Sequence, residues 1–306
     1  MTRIDNMSSR SADNLVWPAG DQGEARPDGW ELWRAPAKLN LALRVGRRRE
    51  DGFHEIESVA AKVTLYDELL LRRRDDGQVR LDCAGLDCPA GQDNLVMRAA
   101  RLLGGGSGAD IRLIKHIPPG AGLGGGSSDA AATLLAINRL WGLNLSAQRL
   151  AELAVKLGSD VPLFLNGPAV CVGGRGERVS ETRVHAFHAV LFLPDLACHT
   201  GRVYAAHDAI AAPAEASVNV ERFALPPSQW GDAVCNDLRG AAERICPPLV
   251  KAAERLADAT GCTVHMTGSG SGLFILADDQ AQARRAADGL GDEIRTRCRI
   301  ISLNPW

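Results

Sequence analysis

The sequence predicts an α+β protein of two domains, and three observations carry that expectation. The chain has 306 residues, about twice the usual domain size of ~150. Its strand-like runs come both singly and in hairpins between helical runs, which favours α+β layering over a doubly wound parallel sheet. Its composition, 45% apolar and 24% charged, suits a globular chain that buries a large core without metal or disulfide staples. Residues 1–30 are polar and read as a flexible tail. A second αβ set begins after about residue 185, which sets domains at 31–185 and 186–306.

Residues 36–45 (PAKLNLALRV) alternate with period two and so form a strand. Ala37, Leu39, Leu41, Leu43 and Val45 share one face, and Lys38 and Asn40 are neighbours on the other. Residues 56–71 and 78–83 are further strands that turn at Asp75-Asp76-Gly77. Asp93-Asn94 offer an N-cap to a helix over LVMRAARLL, with Gly104 just past its end. Residues 109–115 alternate again as a strand. A glycine patch follows, then a helix with Leu134, Ile137 and Trp141 near helical spacing. Ser146 caps a third helix, which puts Leu150, Leu153 and Leu157 on one stripe and stops at Gly158. The second half carries strands near 187–193 and 262–266 and helices near 232–246, 248–259 and 279–290.

Charge and cysteine usage exclude several function classes. Thirty-five Lys and Arg against 37 Asp and Glu leave a net charge of −2, so no polyanion partner is advertised. The runs Arg47-Arg48-Arg49 and Arg72-Arg73-Arg74 are each followed by two acidic residues, as in solvated turns. Eight scattered cysteines without a C-x-x-C pair read as reduced thiols. No apolar run approaches the ~20 residues of a membrane span, and the start lacks the apolar core of a signal peptide. The expectation is a cytoplasmic protein without nucleic-acid or membrane partners, a monomer or weak homodimer.

Residues 118–129, PPGAGLGGGSSD, are the most informative stretch. Glycine lets backbone N–H groups approach a ligand closely and adopt positive φ. A helix start then supplies unpaired N–H donors and the positive end of the helix dipole. Together they make a phosphate cradle; the plainer reading is a flexible turn with a Ser/Asp cap. The serine hydroxyls, Ser128 above all, are candidates for Mg²⁺. No Lys follows the last glycine, so the Walker A pattern fails. The stretch 120–125 satisfies G-x-G-x-x-G, but residues 130–151 hold no acidic residue for a ribose, which weighs against a dinucleotide oxidoreductase. Asp129 reads as a helix cap or a Mg²⁺ helper.

Two charged residues stand out. A Lys inside the alternation at 36–45 needs a partner, and either a carboxylate or a phosphate suits Lys38. Asp160 follows the third helix in LGSDVPLF, where Pro162 biases Val161 to extended backbone and fixes a defined junction. Such an Asp is either structural, bonding local N–H groups, or catalytic.

In order along the chain, PAKLNLAL, DGFHEIESV, PPGAGLGGGSSDAA, LGSDVPLF and HMTGSGSGLF resemble the GHMP small-molecule kinases. The similarity runs from about Ala35 to the C-terminus. It implies a two-domain fold with the site in the inter-domain cleft, the first domain binding ATP and the second the substrate. It also implies ATP- and Mg²⁺-dependent phosphorylation of the tertiary 2-hydroxyl of a cytidine-diphosphate-linked methylerythritol. The family's catalytic pair falls on Lys38 and Asp160. ATP contacts fall on Pro118, Gly120, Gly122, Leu123, Gly124, Gly125, Gly126, Ser127 and Ser128. Substrate contacts fall on Asn40, Phe53, His54, Tyr204, Gly268, Ser269 and Gly270. His54 matches a cytosine-contacting His, with Phe53 and Tyr204 sandwiching the base; for Tyr204 a plain packing role competes. Residues 267–272 form a glycine loop able to close over a ligand, with a β-turn as the rival. The alternatives are a homoserine- or mevalonate-type GHMP kinase and a non-catalytic nucleotide-binding regulator.

Overall fold

The computed structural model describes residues 23–104, 106–210 and 217–305. Most of the expected tail, 1–22, lies outside the described residues. The part that is described does not behave as a tail. Strand β1 (Glu24–Ala25) pairs antiparallel with β2 (Glu31–Arg48), and Gly23 is buried.

The first sheet is built on two long strands, β2 and β3 (His54–Arg74), paired antiparallel over most of their length. Next come β4 (Val79–Gly85), α1 (Leu95–Leu103), β5 (Gly108–Lys115), α2 (Gly125–Leu140) and α3 (Ala147–Leu157). Strands β6 (Ala169–Gly174) and β7 (Arg178–Glu181) close this part of the chain, and β6 pairs with β3. The side chains of Asn94 and Ser146 accept hydrogen bonds from Val96 N and Arg149 N, so both expected N-caps form. The expected hairpin at Asp75-Asp76-Gly77 does not. The chain turns there, but β5 inserts between the arms, antiparallel to β3 and parallel to β4. Turn residues set a reversal of direction; they do not choose the neighbour.

The second sheet has the order β10-β11-β8-β12, from β8 (His188–Phe192), β10 (His265–Met266), β11 (Leu273–Ala277) and β12 (Cys298–Ser302). Helices α4 (Thr200–Ile210), α5 (Arg239–Ile245), α6 (Pro248–Thr260) and α7 (Gln280–Asp288) belong to this half. The helix expected over 232–246 is mostly something else. Its first third contains β9 (Cys235–Asn236), which joins the first sheet beside β2, and only 239–245 is α-helical.

Four buried clusters fix the layers. Leu134, Leu150, Leu153 and Phe164 pack on one face of the first sheet with Ala60 and Val170. Ala37, Leu39, Leu41 and Val59 on the other face meet Leu191 and Phe274 of the second sheet and Phe187 just before it. The far side of that second sheet packs against α5, α6 and α7 through Leu249, Leu256 and Ala283. The order is helices, sheet, sheet, helices. One detail of β2 makes this possible. Trp33 and Ala35 face the helices, whereas Ala37, Leu39 and Leu41, of the same parity, face the second sheet. The exchange falls at a register shift between Pro36 and Ala37, where β3 carries two extra residues, Thr64 and Leu65, and the regular pleated pairing is interrupted. Among the described residues, no helix is long and apolar enough to cross a membrane.

Candidate active site

Strand β2 brings Lys38 and Asn40 to the mouth of a cavity of about 650 Å³ between the glycine stretch, α1 and α4. As expected from strand parity, they point the same way, and Lys38 Nζ donates to Asn40 Oδ1. Asn40 Nδ2 donates to Ser58 Oγ at 2.8 Å, and its backbone N to Thr267 Oγ1 at 3.0 Å. Lys38 is buried. That burial pushes its ammonium below the ordinary lysine value, while the charge of Asp160 draws it partway back.

Asp160 is exposed on the cavity wall. The expectation for the residue after it is overturned. Val161 is α-helical (φ −63°, ψ −42°) and leads into a 3₁₀ turn over Pro162–Leu165. Proline disfavours this conformation in its predecessor. Here the buried side chains of Val161, Leu163 and Phe164 impose it by packing into the helical layer.

The glycine stretch runs straight into α2, and the helix starts earlier than its sequence suggests. Gly124, in left-handed backbone (φ +71°), is the N-cap; Ser127, Ser128 and Asp129 lie inside the helix. A Cβ on Gly124 would stand 2.9 Å from the Phe164 ring and 3.3 Å from Lys38 Cγ, so only glycine lets the helix start abut the lysine. Asp129 is therefore not a cap. It is buried, and its Oδ2 accepts from Lys115 Nζ at 2.7 Å. The same ammonium donates to Asp67 Oδ2, while Asp67 Oδ1 accepts from the backbone N of His116 (2.6 Å) and Ile117 (2.8 Å). Two carboxylates thus clamp one lysine beneath the loop. Burial pushes the Asp129 carboxyl up to about 7, with Lys115 opposing the shift and Asp67 adding to it.

The third glycine motif does not behave as a free flap. Residues 266–275 are buried, and Gly272 N donates to Ala121 O at 3.1 Å. A Cβ on Gly122 would meet Thr267 O at 2.2 Å, and one on Gly268 would stand 3.2 Å from Lys38 Nζ. The two glycine loops interlock backbone to backbone beside Lys38. The β10–β11 pairing makes the motif the connection of a hairpin, closer to the plain-turn reading.

The cavity wall holds Lys38, Asn40, Asp160, Tyr204, Gly268 and Ser269. It also holds Pro118, Gly120, Gly122, Leu123, Gly124, Gly125, Gly126 and Ser127. Ser128, Phe53, His54 and Gly270 are not on it. The Ser128 hydroxyl is buried without a hydrogen-bond partner among the described residues. His54 is buried next to the wall, with its ring 5.0 Å from that of Tyr204 and its Nε2 2.6 Å from Asp208 Oδ1. Burial, with the charge of Asp160 beyond it, pushes the Tyr204 hydroxyl up to about 12. Phe53 is half exposed and lies under the Arg175 guanidinium rather than against Tyr204.

Sequence reasoning missed Asp67 and Lys115. A signal existed. Lys115 has the parity of Ala109, Ile111 and Leu113 along its strand, and Asp67 that of Leu69 and Leu71, so both occupy core-facing positions.

Comparison with known proteins gives the family. The GHMP kinases N terminal domain matches residues 94–168 and the GHMP kinases C terminal domain matches 227–295. A 4-diphosphocytidyl-2-C-methyl-D-erythritol kinase of Delftia acidovorans is 41% identical, covering 89% of this chain and 95% of the relative. One from Variovorax paradoxus is 38% identical over the same shares. The chain belongs to the 4-diphosphocytidyl-2-C-methyl-D-erythritol kinases of the GHMP family. A crystal structure of a 4-(cytidine 5'-diphospho)-2C-methyl-D-erythritol kinase superposes with a TM-score of 0.72 at 37% identity, covering 89% of this chain and 99% of the other. A homoserine kinase of Cytophaga hutchinsonii (TM-score 0.66, 19% identity) shares the fold. This is an ATP-dependent small-molecule kinase with the α+β GHMP architecture.

Proposed function

We propose that the chain transfers the γ-phosphoryl group of ATP to the tertiary 2-hydroxyl of 4-diphosphocytidyl-2-C-methyl-D-erythritol, in the cytoplasm, as a monomer or weak homodimer. Residues 31–185 supply the nucleotide half of the site and 186–306 the substrate half. The observation that carries this reading is the meeting of Lys38, Asp160 and the start of α2 on one cavity.

Phosphoryl transfer asks a protein mainly for positioning and for charge stabilisation. Asp160 accepts the hydroxyl proton, which a tertiary alcohol does not lose unaided near neutrality. Lys38 offsets charge that grows on the transferring group. The glycine loop and the α2 N-terminus grip the polyphosphate through backbone N–H groups. His54 and Tyr204 frame the base, and Gly268 and Ser269 line the substrate side.

The fit to Mg²⁺ rests on oxygen donors. Among the described residues, no group of three or more His, Cys, Asp or Glu forms a metal cage. Ser127 and Asp129 stand on the wall, and among the described residues the buried Asp129 Oδ1 has no hydrogen-bond partner. That sparse set suits an ion that keeps most of its ligands from phosphates and water. Bound there with ATP, Mg²⁺ would neutralise phosphate charge.

The test is ADP release with the cytidine-linked substrate, homoserine and mevalonate supplied in turn. Turnover with the cytidine compound alone is expected. Preferred turnover of homoserine or mevalonate would move the chain to another member of the superfamily, and none with any alcohol would favour a regulator.

A further inference from the structure

Cys83 lies near the end of β4, and Cys88 sits five residues on, in the loop before α1. Their sulfurs are 3.2 Å apart, and both side chains are partly buried free thiols. Cys88 shares the cavity wall with Asp87, Pro89 and Asn94, as well as with the glycine loop. Asn94 wires that sulfur to the helix. Its Oδ1 caps α1 by accepting from Val96 N at 2.9 Å, while its Nδ2 donates to Pro89 O at 2.8 Å and to Cys88 Sγ at 3.4 Å. Any displacement of Cys88 is therefore felt at the helix cap and at the wall.

We propose that Cys83 and Cys88 are a modification site: a peroxide converts them into a reversible disulfide that weakens nucleotide binding in the adjoining cavity. The coupling rests on the reading of that cavity as the ATP site. The sulfurs already touch, so closure to a bond of about 2.05 Å needs a shift of roughly 1 Å and no hinge. That shift draws Cys88 away from Asn94 and alters the wall. The other close pair, Cys198 with Cys246, involves a buried thiol away from solvent. Burial, with the neighbouring sulfur adding to it, pushes the Cys83 thiol up. Cys88 stands on the cavity wall and Cys83 does not, so an oxidant entering the cavity meets Cys88 first.

The chemistry balances with hydrogen peroxide as oxidant. The Cys88 thiolate attacks one peroxide oxygen, the O–O bond breaks, and the leaving hydroxide takes a proton to become water, giving a sulfenic acid. The Cys83 sulfur then attacks the Cys88 sulfur and expels the hydroxyl, which leaves as water with the Cys83 proton. Two thiols are oxidised, one peroxide is reduced, and two waters form.

Trypsin releases residues 81–98 as one peptide that holds these two cysteines and no other. After mild peroxide treatment of the full chain, this peptide is expected to lose two hydrogens and to resist alkylation. The ATP dissociation constant is expected to rise about three- to tenfold and to return with dithiothreitol. By linkage, bound ATP must then protect the pair, and a tenfold effect corresponds to about 30 mV for a two-electron couple. Cys83→Ser is expected to keep the ATP affinity of the reduced protein, and its peptide to gain one oxygen at Cys88 instead of losing two hydrogens. Persistence of two alkylatable thiols, or a disulfide that leaves ATP affinity unchanged, overturns the proposal. If the disulfide forms but the reduced protein binds no ATP, the nucleotide reading of the cavity fails and takes the coupling with it.

Discussion

Two lysines reach the same cavity, and their surroundings differ in one respect. Lys115 is clamped by two buried carboxylates, Asp67 and Asp129, which raise its ammonium above the ordinary value although burial works against them. Lys38 bonds a neutral amide, Asn40, and feels Asp160 only from across the cavity wall, so burial prevails and lowers it. A buried charge that is fully matched has little left to offer a ligand. One held short of its counter-charge is completed by an incoming carboxylate or phosphate, as a kinase site requires. The difference separates a lysine whose charge is matched within the fold from one whose charge is not, and it supports the proposed role of Lys38.

The comparison can be broken at several points. Asp160→Asn should lower kcat by about 10²–10⁴-fold with ATP and substrate affinity within a few fold, the range for loss of a general base. Full residual turnover would remove Asp160 from that role. Lys38→Met should cut kcat/KM by roughly 10²-fold or more, since it removes charge stabilisation of the transfer. Its melting temperature should hold or rise, because an incompletely paired buried ammonium is gone. Lys115→Met should do the reverse and lose about 3–5 kcal/mol of stability by stranding Asp67 and Asp129 without their cation. Equal stability losses in the two variants would erase the distinction.

Smaller effects sharpen the same contrast. Gly122→Ala places a Cβ 2.2 Å from Thr267 O at φ +75°, so a loss of roughly 1–3 kcal/mol is expected from denaturant unfolding. An unchanged midpoint would mean that the two glycine loops are not tightly interlocked. His265 offers a control away from the cavity. Burial, with Arg239 adding to it, lowers its ring to about 4 from 6.5. The unfolded chain therefore binds the extra proton first, and stability falls as pH drops from about 6.5 to about 4. His265→Gln should flatten that part of the stability profile, by at most about 3–4 kcal/mol.

Legibility followed the range of the interactions involved. The caps at Asn94 and Ser146 and the shared face of Lys38 and Asn40 depend on neighbours a few residues away, and they were readable. The partner of β4 was not, because β5 arrives from about thirty residues downstream and wins the pairing. Nor was β9, whose short segment reads as helix until β2 offers it an edge. Asp129 looked like a cap because its type favours caps, yet the φ of Gly124 moved the helix start upstream. Phe53 was expected against the base, but it packs beneath Arg175, a contact between turns that no local pattern announces.

By itself the sequence determined that the chain folds as α and β layers and carries a glycine-rich turn running into a helix, with one lysine and one aspartate as its suspicious charges. Those features are written in side-chain period, in glycine content and in residues that break an apolar pattern. Only the tertiary structure decided which charges share a site and which neutralise each other. Burial and distance set that outcome, and both come from strands brought together across most of the chain.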